Sequence, residues 1–402
     1  MKGITRIFYP LTIAALMAIG CKKPYSPPIV SVGKSYLVVE GAINTGQDST
    51  IIHLSHTIPL SAPAGAVSPP ELGAAVVVQS DANTSIQLTD AGNGYYISPN
   101  LNLSGANKYR LQITTADAKV YQSDFVQVKN SPPIDSVSYQ VLNNAVQINV
   151  NTHDASNSSR YYRWDYYETW IIHAKYQSQF ILQTQPKDTI VYRDPSQQIF
   201  KCWNSGQSSD IVLASTAKLS QDILINSPIT SITSTSEKLT ERYSILVKQY
   251  ALTKEAFDYY QLLRKNTEQL GGIFSPQPSS LTGNVHCLTV PSETVIGYIS
   301  AGSVTKQRIY INSYGLPPGP LWIPKMPYDQ CTLDTFLYAF YPRGSRVPIN
   351  QVAAYLYTGY AIPVNVIAQP GQPPVGYTGS IGACVDCTLR GTNRKPDFWI
   401  DR

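Results

Sequence analysis

The chain has 402 residues, long enough for two domains with cores of their own. Only 14% of them are charged, and the net charge of +5 is spread over Lys/Arg runs no longer than two. That excludes the concentrated basic face that nucleic-acid binding needs.

The first 20 residues read as a secretory signal peptide. Lys2 and Arg6 give a positive start, and residues 7–20 carry no charge and are mostly apolar. This run is too short for a spanning helix, which takes about 20 apolar residues. It ends on Ala18-Ile19-Gly20-Cys21, a lipobox, so Cys21 is the expected site of diacylglyceryl attachment and the first mature residue. Acyl chains hold a protein to a bilayer by burying methylenes at about 0.8 kcal/mol each. Residues 21–35 follow as a tether that Pro24, Pro27 and Pro28 bias toward an extended form.

Residues 36–131 read as an Ig-like or transthyretin-like β-sandwich. Polarity here comes from Ser, Thr, Asn and Gln, and the chain's 28 Tyr against 9 Phe suit sheets with wet hydroxyls. Strands are expected at 36–41, 50–55, 74–79, 85–88, 95–97, 108–113 and 120–128, with Gly92-Asn93-Gly94 as a turn. Asn130-Ser131-Pro132-Pro133 reads as the linker to a larger β-rich domain over 134–402.

That second domain opens with a hairpin, 137–141 and 145–150. Strand 161–170 then alternates, with Tyr162, Trp164, Tyr166 and Trp170 on one face and Arg163, Asp165 and Thr169 on the other with Tyr161 and Tyr167. The four-aromatic face is either the core of a sandwich or a ligand platform for sugars or peptides. Residues 174–240 are polar and irregular, with weaker strands near 189–193 and 210–214, and 243–250 is a further strand. A helix is expected at about 253–270. Thr253 can cap it, Ala256, Phe257, Tyr260, Leu263 and Leu270 fall near one stripe, and Gly271-Gly272 ends it. Strands return at 283–290, 294–301 and 307–311, and a Pro-, Gly- and Tyr-rich tail includes a short helix near 332–340.

Chemistry-bearing motifs are few. Apart from Cys21 there are five cysteines, Cys202, Cys287, Cys331, Cys384 and Cys387, an odd number that leaves at least one without a partner in the chain. In an oxidising compartment they read as disulfides pinning the tail to the β core, with the pairing open. Cys384-Val385-Asp386-Cys387 lacks a second pair at zinc spacing, and its context is not a thioredoxin-like strand–helix junction. His53, His56, His153, His173 and His286 read as lone structural histidines, so no metal site and no cofactor is expected. Ser215 to Lys218 and Ser303 to Lys306 match S-x-x-K without its partner motifs. An exported hydrolase working through Asp165 and Glu168 is the alternative to a binding protein, although residues three apart on one strand face opposite sides. No catalytic residue is therefore assigned.

Several short pieces, in order, resemble a family of Bacteroidota lipoproteins defined only as a domain of unknown function. They are the lipobox, YLVVEG at 36–41, PELGA at 70–74, GNGYY at 92–96, KYRL at 108–111, YYRW at 161–164, GNVHC at 283–287, CVDC at 384–387 and KPDFW at 395–399. The resemblance implies an outer-membrane lipoprotein encoded beside a TonB-dependent receptor. Its partners would be membrane lipid through acylated Cys21, that β-barrel receptor, and a small-molecule, peptide or glycan ligand. A structural adhesin-like module is the remaining option. Surface export in such lipoproteins resembles a code of acidic residues after the cysteine, and Lys22 and Lys23 stand in those positions, so either membrane face is compatible. Replacing Cys21 with Ala is expected to move the protein from the membrane to the soluble fraction. A Cys21→Ala protein that still sediments with membranes would remove the lipid anchor from this reading.

Overall fold

The computed structural model describes residues 35–59, 62–63, 65–268, 281 and 283–401. The expected signal peptide, Cys21, nearly all of the expected tether, Leu270 and Gly271-Gly272 lie outside the described residues. The chain is mainly β, as its alternating segments imply. Among the described residues no helix is long and apolar enough to cross a membrane.

The first unit is a sandwich. Leu37–Asn44 buries Leu37 and Val39 on one side of the strand and pairs antiparallel with Thr50–His56, which pairs with Tyr95–Ser98. Facing this layer, Ala75–Ser80, Lys108–Thr114 and Val120–Ser123 pair antiparallel. Val39, Ile52, Leu54 and Tyr96 meet Val76, Val78, Leu111 and Ile113 in one core. Each such side chain contributes about 1.5–3 kcal/mol on full burial. The segment expected as a single strand at 120–128 is two, Val120–Ser123 and Val126–Lys129. Between them Asp124 donates its N–H to the Asn284 carbonyl and Arg110 covers the Phe125 ring. This break carries the chain from one layer to the other.

The expected division at 131 needs correction. Val285–Cys287 pairs with Val120–Ser123, and Ser300–Gly302 lies parallel between Leu37–Asn44 and Val126–Lys129. Residues 285–302 therefore return to the first sandwich, whose curled sheet has 12 strands. Glycine makes the close approach possible. Gly297 has φ of 154°, and a Cβ there would overlap the Val39 carbonyl, while one on Gly302 would overlap the Lys129 carbonyl.

The second unit is also a sandwich. Ile134–Val141, Ala145–His153 and Ile223–Thr233 form one sheet. Tyr161–His173 is the central strand of the other, with Lys201–Gln207, Val212–Ser215, Arg242–Ala251 and Val304–Asn312. Ile223–Thr233 and Lys201–Gln207 fall in the segment expected to be irregular. The first is rich in Ser, Thr and Asn, and it carries Pro228 at a break in register. Such a strand has no alternating signature to read. The short helix expected near 332–340 is instead the strand Asp334–Leu337, paired with Gly376–Ile381. Phe336 is buried there and Asp334 and Thr335 are exposed, which a distant partner strand decides and local propensity does not.

Two disulfides hold the tail, Cys202–Cys387 and Cys331–Cys384, and Cys287 is a buried free thiol in the first core. The chain passes from the first sandwich to the second at two places, near Ser131 and near Ser303, and both are fixed. Ser131 donates from its N–H to Ser303 Oγ and from its hydroxyl to the Ser303 carbonyl. Fully buried Gln249 accepts from Trp164 Nε1 at 3.0 Å and donates to the Pro132 carbonyl at 2.9 Å and Thr152 Oγ1 at 3.1 Å. Gln249→Ala would orphan the indole N–H and weaken the linker, at about 2–4 kcal/mol. Urea unfolding should show that loss, and a change within experimental error would mean the network is dispensable.

An interdomain cleft as the candidate functional site

Strand Tyr161–His173 has two faces with different fates. Tyr162, Trp164 and Tyr166 point into the second core and are nearly or fully buried. Their polar atoms are taken inside it: Tyr162 donates to Asp222 Oδ2 at 2.7 Å, Trp164 to Gln249, and Tyr166 to Thr230 Oγ1 at 3.1 Å. Trp170 is half-buried against the same core, with the Lys238 ammonium 5.0 Å from its ring centre. The four aromatics thus have no free face to offer, and the ligand-platform reading of them is corrected. Packing them inward removes far more apolar surface from water than a platform would.

The opposite face of the same strand is the open one. Arg163, Asp165 and Tyr167 line a cleft of about 590 Å³ between the two sandwiches. The first sandwich supplies the facing wall with Glu40, Asp48, Ile51, His53 and Tyr95. Helix Lys254–Glu268 closes one side with Tyr259, Tyr260 and Leu263. Thr253 caps that helix as expected, its hydroxyl accepting from the Ala256 N–H at 3.2 Å. Phe257 packs on Tyr161, which fixes the helix against the strand.

Six tyrosines line the cleft: Tyr95, Tyr167, Tyr250, Tyr259, Tyr260 and Tyr298. Burial pushes the phenols of Tyr167, Tyr250, Tyr259, Tyr260 and Tyr298 above their ordinary value, so they stay neutral donors and acceptors. The Arg163 guanidinium lies between two of these rings, 4.6 Å from Tyr250 and 4.5 Å from Tyr260. It also donates to Asp165 Oδ2 at 2.9 Å. Burial works against its charge, but Tyr260 and Asp165 outweigh burial and hold it firmly protonated. Across the cleft, His53 stacks on Tyr95 with centroids 4.3 Å apart and meets Glu40 at 3.0 Å. The surface combines aromatic rings with planar polar groups, the mixture that sugars and peptides bind.

The other sequence candidates are structural. Asp165 lines the cleft, whereas Glu168 lies on the core side, 2.5 Å from Lys238 Nζ and 2.7 Å from the Tyr243 hydroxyl. The pair for acid–base chemistry is not assembled. Ser215 donates its hydroxyl to the Arg160 carbonyl, and Ser303 holds the linker, so neither S-x-x-K serine is a poised nucleophile. Cys384 and Cys387 bond to different partners and not to each other. Each of the five histidines lies beside a carboxylate: His53 with Glu40, His56 with Glu71, His153 with Asp135, His173 with Glu241 and His286 with Asp124. Among the described residues no three His, Cys, Asp or Glu side chains come together to hold a metal.

Sequence reading missed the cleft because its walls come from segments scattered between Val38 and Val304. The available signal was the second face of strand 161–170, where Arg163, Asp165 and Tyr167 alternate as regularly as the aromatics.

A family model described as a domain of unknown function, DUF4249, matches residues 22–308. No curated protein matches the chain. Among solved structures, a two fibronectin type-III domain segment from chicken tenascin aligns at 12% identity. The alignment covers 55% of this chain and 93% of that one, with a TM-score of 0.16, too low to support any argument. All residues lining the cleft lie within the family match, whereas Cys331, Cys384 and Cys387 lie beyond it. The chain belongs to the family of the domain of unknown function DUF4249.

Proposed function

We propose that this protein is a ligand-binding accessory lipoprotein of the outer membrane. It is held there by lipid on Cys21 and serves a TonB-dependent β-barrel uptake receptor. The observation that carries the binding role is the interdomain cleft, lined by tyrosines and planar polar groups from both sandwiches. The lipobox supports the anchor, and the resemblance to Bacteroidota lipoproteins supports the membrane and the receptor. The separation of Asp165 from Glu168 onto opposite faces favours binding over hydrolysis.

In this reading the ligand sits between rigid walls. Tyr95 presents a ring that is 43% exposed, and Arg163 is already committed to Asp165 and two rings, so it shapes the floor. Rigid aromatic walls reduce the ordering cost of binding a flexible polar molecule. The cleft is open at its rim, so a ligand can pass on to a receptor without unfolding either unit.

Two measurements test the proposal. Extraction of native membranes in several mild detergents should recover the protein together with a β-barrel receptor, and recovery alone in all of them would count against the partner. The purified full-length protein should release a small molecule on denaturation, detectable by mass spectrometry. Tyr95→Ala should cut the amount carried by about tenfold, the scale of one lost stacking contact. Equal loading of the two proteins would argue that the cleft is not the site.

A further inference from the structure

Three carboxylates of the cleft have a close partner, and one cation has none. Glu40 pairs with His53 at 3.0 Å, Asp165 with Arg163 at 2.9 Å, and Asp48 with Lys306 at 2.6 Å. Among the described residues Lys248 has neither a carboxylate within ion-pair distance nor a hydrogen-bonded partner; its ammonium lies 4.6 Å from the centre of the Tyr167 ring. It stands in register between Asp165 on one neighbouring strand and Lys306 on the other. The nearest acids are therefore already engaged, one on each side. Burial first, and then the positive charge of Lys306, push the Lys248 amine below its ordinary value.

Two like charges directly opposite on adjacent strands destabilise a sheet. Pairing Lys306 with Asp48 compensates one of them and leaves the other facing the cleft. A half-buried cation without a counter-charge is the natural seat of an anion from outside. The same geometry limits the anion. One ammonium, with Asp48 and Asp165 close by, suits a single negative charge and would repel a dianion such as a phosphate monoester. Tyr167 beneath the amine supplies an aromatic floor, and Gln207 in the same lining supplies a neutral hydrogen-bonding group.

We propose that Lys248 is the anion-recognition residue of this cleft, and that the ligand is a small molecule bound through a carboxylate. The inference rests on the reading of the cleft as a ligand site. The carboxylate has two chemical sources, a uronic acid sugar and the free C-terminus of a short peptide.

The test uses the lipidated full-length protein in mild detergent and four calorimetric probes: galacturonic acid, its methyl ester, tri-alanine and tri-alanine amide. One of the two acids should bind about tenfold or more tighter than its neutral counterpart, and which one does so identifies the source. Lys248→Met, which keeps the apolar stem, should bring that acid and its neutral form to within about twofold, while Lys248→Arg should keep the preference. An unchanged melting temperature would show that Lys248→Met folds; should it not fold, the Lys248→Arg protein and the acid-to-neutral ratio of the parent decide. Equal binding of acid and neutral forms, or a preference that survives in Lys248→Met, would overturn the carboxylate assignment. In either case binding that Tyr95→Ala weakens would leave the cleft standing as a ligand site. If no probe shows binding that depends on Tyr95, the carboxylate assignment and the cleft reading fall together.

Discussion

The buried amide of Gln249 fixes the relation between the two sandwiches. Its oxygen accepts from the indole of Trp164 in the second core, and its nitrogen donates to Pro132 in the crossing segment. The Ser131 hydroxyl accepts from the Ala251 N–H and donates to the Ser303 carbonyl, so the two segments that pass from the first sandwich to the second are tied together. Thr305 adds a second hydrogen bond to the Pro132 carbonyl. A buried polar network in which every member is satisfied specifies one arrangement. The cleft is the space left between units held in that arrangement, so its shape depends on hydrogen bonds that touch no ligand.

The segments with strong local period were legible in the sequence. The strands at 50–55, 108–113 and 243–250, the hairpin opening the second sandwich and the Thr253-capped helix all stand near where alternation and capping put them. What was not legible was membership. Residues 294–301 read as one strand, but only the space beside Gly302 shows that Ser300–Gly302 belongs to the first sheet. Ile223–Thr233 owes its strand form to its partner Ala145–His153 and not to propensity. The candidate site was half legible. Strand 161–170 and the sorting of its two faces were legible, but the residues left the aromatic face open between core and platform and did not mark the charged face as the exposed wall.

The polar chemistry of the molecule is largely self-contained. Glu168, Lys238 and Tyr243 close on one another inside the second sandwich, and Arg390 pairs with Glu237 near the tail. Such groups look reactive in a sequence because their types are reactive, and the fold uses them as internal ties. The cleft differs because its walls come from separate units, joined across it by Lys306 and Asp48, and among the described residues Lys248 is left without an ion pair.

The placement of the strand Leu37–Asn44 has a mechanical consequence. It is the first described strand of the chain, yet it lies inside its sheet, bonded to Thr50–His56 on one side and to Ile296–Gly297 and Ser300–Gly302 on the other. Its hydrogen bonds run across the strand direction. A pull along its amino-terminal end would therefore strain both rows in shear and all bonds together, instead of peeling them one at a time. The first described strand is thus built to transmit tension into the body of the protein without coming loose.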